Sequence, residues 1–166
     1  MDGDTLYVID DHAVLAIPSL CGLESLPHVL DELTDLVRAG KLCFPDQIVR
    51  DCAKWATGET IHTWIKAVSG HRQLKKLPSR WQEEVLGLCE DLCDYDDDNE
   101  QSPVLVAAMA LMISRDAPDV SISVVTEDRS NLPTRMCLND ACQELGLVSM
   151  TARDFLSETK ASRHLN

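Results

Sequence analysis

Short apolar runs rich in β-branched residues recur along the chain and predict the strands of a sheet. The run Thr5-Leu-Tyr-Val-Ile-Asp10 predicts a buried first strand, and Ser121-Ile-Ser-Val-Val-Thr126 predicts another interior strand. Such runs are typical of strands that helices cover on both faces. Two shorter runs, 41–44 and 147–150, predict a second and a last strand.

Apolar residues at helical spacing separate the predicted strands. Between Ser25 and Gly40 they form one stripe with acids on the opposite face, which predicts an amphipathic helix. The run Val104–Ile113 is apolar on nearly all sides, so we expect a buried helix there. Further patterns predict a short helix followed by a loop within 58–78, a helix along the stripe Trp81, Val85, Leu88 and Leu92, and a short helix within 139–145.

Polar residues at the starts of these helices predict their caps, because a short side-chain oxygen can accept a bond from a free backbone N–H group. The predicted caps are Ser79 with Gln82, Ser102 before Pro103, Asn139, and Thr151 with Asp154. Gly146 is predicted to end the helix before the last strand.

A further helix is predicted to open at Pro45. Ile48, Cys52 and Trp55 share its apolar face, and Asp51 borders that face.

Strands that alternate with helices favour an α/β fold. We expect a three-layer, Rossmann-like sandwich with a central, mainly parallel sheet of four to five strands. The length of 166 residues fits one domain spanning 1–166.

The charge balance limits the partners of the chain. Fifteen basic side chains against 28 acidic ones give a formal net charge of −13, which repels polyanions. Bound cations, a basic partner protein or a local basic patch could reverse that field. The patch Arg72, Lys75, Lys76 and Arg80 is interpreted as a solvated loop.

Cysteine usage and the opening residues indicate the compartment. Seven cysteines, an odd number, cannot form a complete disulfide framework, and we expect most of them to be buried as small apolar residues. Acids stand where a secretory signal would carry basic residues, and no apolar run reaches the ~20 residues that span a bilayer. We therefore expect a cytoplasmic protein without a membrane segment.

Candidate chemistry lies at the ends of the predicted strands. Asp10 and Asp128 follow two strands whose carboxyl ends share one edge of a parallel sheet, where ligands bind in such folds. Carboxylates brought together repel unless a cation lies between them, and magnesium or manganese suits oxygen ligands. Taken singly, each acid is more simply explained as a turn or cap residue, and Asp51 as a solvated helix acid, but two strand-end acids together with an acid on a helix face favour a shared site.

Five segments in order resemble the family of PIN-like nucleases. The opening Tyr7-Val-Ile-Asp-Asp-His-Ala-Val-Leu15 is similar to the strand that ends in Asp-Thr-Asn or Asp-Ser-Asn in that family. Segment 39–51 is similar to the family's second strand and acidic helix, and segment 102–108 to its Asp-Pro-x-Leu-Val-Ala motif. Segment 124–128 is similar to the Val-Thr-x-Asp motif, and segment 138–146 to a segment of an uncharacterised bacterial PIN-like group.

The resemblance implies a metal-dependent endoribonuclease, either a VapC-like toxin of a toxin–antitoxin pair or a defence effector. By position, Asp10, Asp51 and Asp128 would bind Mg²⁺ or Mn²⁺ and carry out phosphodiester hydrolysis through a metal-activated water. RNA would be the substrate and a small basic antitoxin the partner. Whether the chain forms a homodimer stays open.

Departures from the family pattern favour an alternative, a PIN-like protein that has lost catalysis and acts as a binding or regulatory subunit. Ser102 stands where the family has Asp, and Asp11 with His12 replaces the usual Thr or Ser and Asn. Asp98 or Glu100 could reach in from the acidic loop to replace the missing ligand. Asp11 and Glu127 are further candidate acids.

Overall fold

A computed structural model describes residues 5–165 of the chain. Four strands form one all-parallel sheet in the order β2-β1-β3-β4. The strands are β1 Thr5–Ile9, β2 Leu42–Cys43, β3 Ser121–Val125 and β4 Val148–Met150. The predicted α/β class and the parallel sheet are thus confirmed, because each β-branched run forms a strand.

Eight α-helices flank the sheet within residues 5–165. They are α1 Asp11–Cys21, α2 Leu26–Arg38, α3 Asp46–Ala56, α4 Thr60–Val68, α5 Ser79–Leu88, α6 Ser102–Asp116, α7 Leu138–Leu145 and α8 Ala152–Glu158. Short 3₁₀ turns follow at 69–71, 90–92 and 160–164. No helix in this part of the chain has the length and apolar character that crossing a membrane requires.

The helices form layers on the two faces of the sheet. On one face, α1 packs against α2 and α8, and Phe155 of α8 meets the ring of Tyr7 edge-on at 4.8 Å between ring centroids. On the other face, α6 packs on β1 and β3 and contacts α5 and α7. The fold is therefore the three-layer sandwich that the sequence predicts.

The core is continuous through these layers. Apolar side chains of β1 and β3, including Val8 and Val124, are fully buried with those of the helices around them. Every residue of α6 from Val104 to Ile113 is buried, which confirms the prediction from its apolar run. Six of the seven cysteines are buried and all seven are free thiols, as expected.

Helix α1 lies outside the helices that the sequence predicts, since the apolar residues after Asp10 indicate only the opening motif of the PIN-like resemblance. Asp10 caps this helix, and its buried face includes Val14 and Ile17. Pro18 lies inside it.

The predicted caps have mixed outcomes. Thr151 accepts from the Asp154 backbone N–H at 3.1 Å, and Gly146 ends α7 with φ +73°, so both predictions are confirmed. Ser79, Ser102 and Asn139 lie inside their helices rather than at the cap position, so those three predictions are wrong. The reason is that their side chains do not meet the free N–H groups of the first turn. The N-cap residues are instead Pro78, Gln101 and Cys137.

Two surface predictions are each wrong at one residue. Arg72 of the predicted solvated patch is buried because it donates to the Phe44 carbonyl oxygen at 2.8 Å and pairs with Asp46, whereas Lys75, Lys76 and Arg80 are exposed as predicted. Trp55, assigned to the apolar face of α3 with Ile48 and Cys52, is 72% exposed while those two residues are fully buried.

Candidate functional site

The carboxyl edge of the sheet carries the acids that the sequence singles out. Asp10 follows β1, Asp128 lies three residues after the end of β3, and Asp51 and Ser102 approach from α3 and α6. The Asp10 backbone N–H donates to the Val125 carbonyl oxygen at 3.0 Å, which joins the ends of the two central strands.

Asp10 is almost completely buried, at 2% exposure, and both of its carboxylate oxygens are engaged. Oδ1 accepts from the Ala13 backbone N–H at 2.7 Å, and Oδ2 accepts from the Thr126 hydroxyl. Burial raises the pKa of Asp10 to about 7, against the lowering effect of these two hydrogen bonds. The side chain therefore caps α1 and ties β1 to the end of β3.

Asp128 is held by an arginine and by the start of α7. Its Oδ2 accepts from Arg135 Nη1 at 2.9 Å and from the Leu138 backbone N–H at 2.9 Å. Its own backbone N–H donates to Thr126 Oγ1 at 2.9 Å, and its carbonyl oxygen accepts from Asn139 N–H at 3.1 Å. The carboxylate is thus neutralised by a guanidinium and by backbone donors at a helix N-terminus.

Asp51 and Ser102 form a direct pair. The Ser102 hydroxyl donates to Asp51 Oδ2, and Gln47 Nε2 donates to Asp51 Oδ1 at 2.8 Å. Lys54 Nζ lies 3.6 Å from the same Oδ1. The serine that replaces the expected aspartate therefore acts as a hydrogen-bond donor to the neighbouring acid.

Asp11, the additional acid next to Asp10, is buried at the first turn of α1. The His12 ring lies beside it, with 3.9 Å between His12 Nε2 and Asp11 Oδ2. Burial raises the pKa of Asp11, and the charge of Asp51 raises it further. The charge of Asp51 thus lies close enough to disfavour the ionised form of Asp11.

A cleft of about 240 Å³ opens at this edge between α3, α6 and two loops. Its lining includes Asp11, Asp51, Ser102 and Arg135, whereas Asp10 and Asp128 lie outside the lining. The structure therefore does not bring the three predicted metal ligands into one open site.

The remaining candidate acids divide between the cleft and the fold. Glu100 lines the cleft, while Asp98 is exposed outside its lining. Glu127 Oε2 accepts from the Ala152 backbone N–H at 2.8 Å, so it serves the start of α8.

One wall of the cleft is an acidic loop that Gln101 holds in shape. The Gln101 side chain accepts from Asp94 N–H at 2.8 Å and donates to the Asp94 carbonyl oxygen at 2.7 Å. Within the loop, Asp94 and Asp97 accept from the backbone N–H groups of Asp96 and Asn99. These bonds keep Asp94 and Asp97 at the cleft.

A hairpin loop forms another part of the cleft lining. Leu132 and Arg135 pair as an isolated antiparallel bridge, and Asn131 Oδ1 accepts from the Cys137 backbone N–H at 2.8 Å. The Met136 N–H donates to the Asp91 carbonyl oxygen at 2.8 Å. The loop is therefore fixed by hydrogen bonds although it contains no helix or strand.

Exposed apolar side chains border this cleft. Trp55 and Leu132 line it, and a neighbouring cleft of about 340 Å³ shares Leu132, Thr134 and Arg135 with it and adds Tyr95. Three of the six large apolar side chains that are exposed among the described residues therefore lie here. No sequence pattern marks Tyr95 or Leu132, because neither lies in a periodic segment.

A larger cavity, about 360 Å³, lies at the opposite, amino edge of the sheet. It is lined by residues such as Tyr7, Asp35 and Glu158, and the Tyr7 hydroxyl already donates to Glu158 Oε2 at 3.1 Å. None of the predicted site acids lines it, so we place the candidate site at the carboxyl edge despite the smaller volume there.

The residues at the carboxyl edge do not fit a divalent metal as arranged. Within residues 5–165, no three Asp, Glu, His or Cys side chains are grouped so that they could hold a metal ion. The oxygens of Asp10 and Asp51, and Oδ2 of Asp128, accept bonds from the protein itself. Magnesium and manganese need several such oxygens converging on one point.

No model of a known protein family matches the chain, and no curated protein matches it in sequence.

Proposed function

We propose that the chain is a PIN-like protein that has lost metal-dependent catalysis and binds a basic segment of a protein partner at the carboxyl-edge cleft. One observation carries this proposal. The acids that would hold the metal are satisfied by protein donors, above all Asp128 by Arg135 and Asp51 by Ser102.

The PIN-like assignment is supported by the order of the five sequence segments together with the parallel sheet. In that sheet the acids after β1 and β3 fall at one edge, and the acid of α3 meets the first residue of α6. These are the positions at which the resemblance places a shared set of carboxylates.

Loss of catalysis is supported by the chemistry of the Ser102–Asp51 pair. An aspartate at position 102 would set two carboxylates against each other and would require a cation between them. Serine instead donates a hydrogen bond, so the pair is stable without a metal ion.

A basic protein partner is supported by charge and by exposed apolar surface. Five acids line the cleft against two cations, Lys54 and Arg135, and both cations already pair with acids. An arginine of a partner would bond these carboxylates and stack on the exposed ring of Trp55. The net charge of −13 would attract such a partner and repel RNA.

The ribonuclease remains the alternative, and one observation favours it. Burial and then the charges of Asp11, Asp51 and Asp10 raise the pKa of the Cys52 thiol to about 12, so all three acids lie near one point. Rearrangement around that point would be needed before a metal could bind. In that case RNA would be the substrate and Mg²⁺ or Mn²⁺ the cofactor, in a toxin or a defence effector.

Binding of a fluorescein-labelled octa-arginine peptide, followed by fluorescence anisotropy, tests the proposed surface. We expect Trp55→Ala to weaken binding by about 2- to 30-fold, the range of a cation–π contact worth about 0.5–2 kcal/mol. Leu88→Ala removes another exposed apolar side chain, 57% exposed and on α5 away from the cleft, and should leave the affinity unchanged. Equal affinities for the wild type and both variants would mean that the peptide binds only through diffuse charge, which contradicts the proposal.

A further inference from the structure

Two clefts adjoin each other at the hairpin loop. The acidic cleft is the one of about 240 Å³ that five acids line, and its neighbour has a volume of about 340 Å³. Both linings contain Leu132, Thr134 and Arg135, so the hairpin loop borders both clefts. Trp55 lines the acidic cleft alone, and Tyr95 lines the neighbouring cleft alone. One bound segment of a protein can therefore contact both clefts.

The neighbouring cleft, called the apolar cleft below, differs from the acidic cleft in its chemistry. Asp91 is the only acid that the described residues place in its lining. Tyr95 and Leu132 are 68% and 51% exposed, and Pro133 beside them is also exposed. Contiguous apolar side chains that face water mark binding surfaces, because covering them removes apolar area from water.

Hydrogen bonds hold both sides of the apolar cleft in place. On the hairpin side, the Met136 backbone N–H donates to the Asp91 carbonyl oxygen at 2.8 Å. On the other side, Gln101 Nε2 donates to carbonyl oxygens before and after Tyr95 in the chain, at 2.7 and 3.2 Å. A cleft formed in advance loses less conformational entropy when a ligand binds. Tyr95 is thus presented to solvent on a fixed loop.

The charges of the two linings decide which side chain each cleft accepts. The acidic cleft has five acids against Lys54 and Arg135, whereas the apolar cleft has Asp91 against Arg135. A cationic side chain therefore finds an excess of negative charge only in the acidic cleft. In the apolar cleft it would meet the guanidinium of Arg135 without that excess, which favours an uncharged side chain there.

We infer that the apolar cleft is a specificity site for a large apolar side chain of the same partner segment whose arginine binds in the acidic cleft. The inference rests on the proposed function, since it states which sequence the basic partner must carry. Side chains of an extended chain return to the same face every second residue, at about 3.3 Å per residue. The apolar residue is therefore expected about two to four positions from the arginine.

Paired peptides of equal charge, followed by fluorescence anisotropy, test the specificity site. Each labelled peptide carries four arginines and then phenylalanine at the second, third or fourth following position, and its matched version carries serine instead. We expect the wild type to bind at least one phenylalanine peptide about tenfold or more tightly than its serine version, because the ring is buried in the apolar cleft. Tyr95→Ser should remove most of that ratio. Leu88→Ser, at an exposed position outside both linings, should preserve it.

Trp55→Ala separates the inference from the proposed function, because Trp55 lines the acidic cleft alone. It should weaken both versions of a peptide by the same factor and leave their ratio unchanged. If Trp55→Ala weakens both versions but the wild type binds them equally, the inference alone is overturned. A ratio that Tyr95→Ser does not alter has the same meaning. Binding that Trp55→Ala does not affect would contradict the proposed function, and the inference with it.

A second copy of this chain is the competing occupant of the apolar cleft. Sedimentation velocity of the wild type and of Tyr95→Ser distinguishes it from a basic partner. We expect both proteins to be monomers at the concentrations of the binding measurements. A wild-type dimer that Tyr95→Ser dissociates would place a second copy in the apolar cleft and overturn the inference.

Discussion

At the scale of single residues, Asp10 performs two structural tasks with one carboxylate. It accepts from the first turn of α1 and from Thr126 at the end of β3, while remaining almost fully buried. Burial raises its pKa to about 7. Between the ordinary pKa of an aspartate and that value, the folded chain binds this proton more tightly than the unfolded chain does. Stability contributed by Asp10 is therefore lost as pH rises through this window.

Asp10→Asn should flatten the pH dependence of stability, because an amide fills the same space without a titrating charge. From about pH 4 to about pH 7 we expect the free energy of unfolding of the wild type to fall relative to that of the variant. Urea unfolding at several pH values measures the difference. Asp31→Asn, at an exposed position of α2, is the control, and its free energy of unfolding should depend on pH as that of the wild type does. Parallel curves for Asp10→Asn would contradict the raised pKa.

At the scale of elements, the Ser102–Asp51 bond joins the start of α6 to α3 across 51 positions of sequence. Ser102 is 4% exposed, so its hydroxyl and the Asp51 carboxylate are partners in a region with little water. A second carboxylate placed there would lose the hydrogen bond and add repulsion.

Ser102→Asp should therefore destabilise the fold more than Ser102→Ala. The alanine variant loses one hydrogen bond to a charged group, which costs about 1.5–3 kcal/mol. The aspartate variant adds a like charge, and we expect a further loss of at least about 1 kcal/mol when no divalent metal is present. Urea unfolding with a chelator compares the two. An aspartate variant as stable as the alanine variant would show that the position still tolerates the family's acid.

Local sequence signals account for most elements and for little of the site. The run before Asp10 and the apolar stretch of α6 carry their own signals, since period and composition are local properties. The exposure of Trp55 could not be predicted, because helical spacing shows which residues share a face but not how many of them the neighbouring helices bury. The roles of Ser102 and Arg135 were beyond prediction for a related reason. Their partners are set by tertiary contacts and by a turn outside any periodic segment.

At the scale of the whole molecule, the negative electrostatic field of the chain and the acidic cleft at the carboxyl edge of the sheet both oppose RNA binding. A net charge of −13 opposes the approach of RNA, and the cleft where RNA would have to bind is itself lined by five acids. A nuclease built on this chain would need bound cations both to hold its carboxylates and to admit its substrate. The internal pairing of Asp128 with Arg135 removes the first of these needs without a metal ion.

Cleavage of a mixed RNA pool by purified protein, with Mg²⁺, Mn²⁺ or a chelator, tests the central claim most directly. The Asp10→Asn and Asp128→Asn variants are prepared to the same purity. We predict no cleavage that depends on either metal, and therefore no difference between the wild type and the two variants. Cleavage that requires a divalent metal, stops with the chelator and disappears in both variants would contradict the claim and establish the ribonuclease.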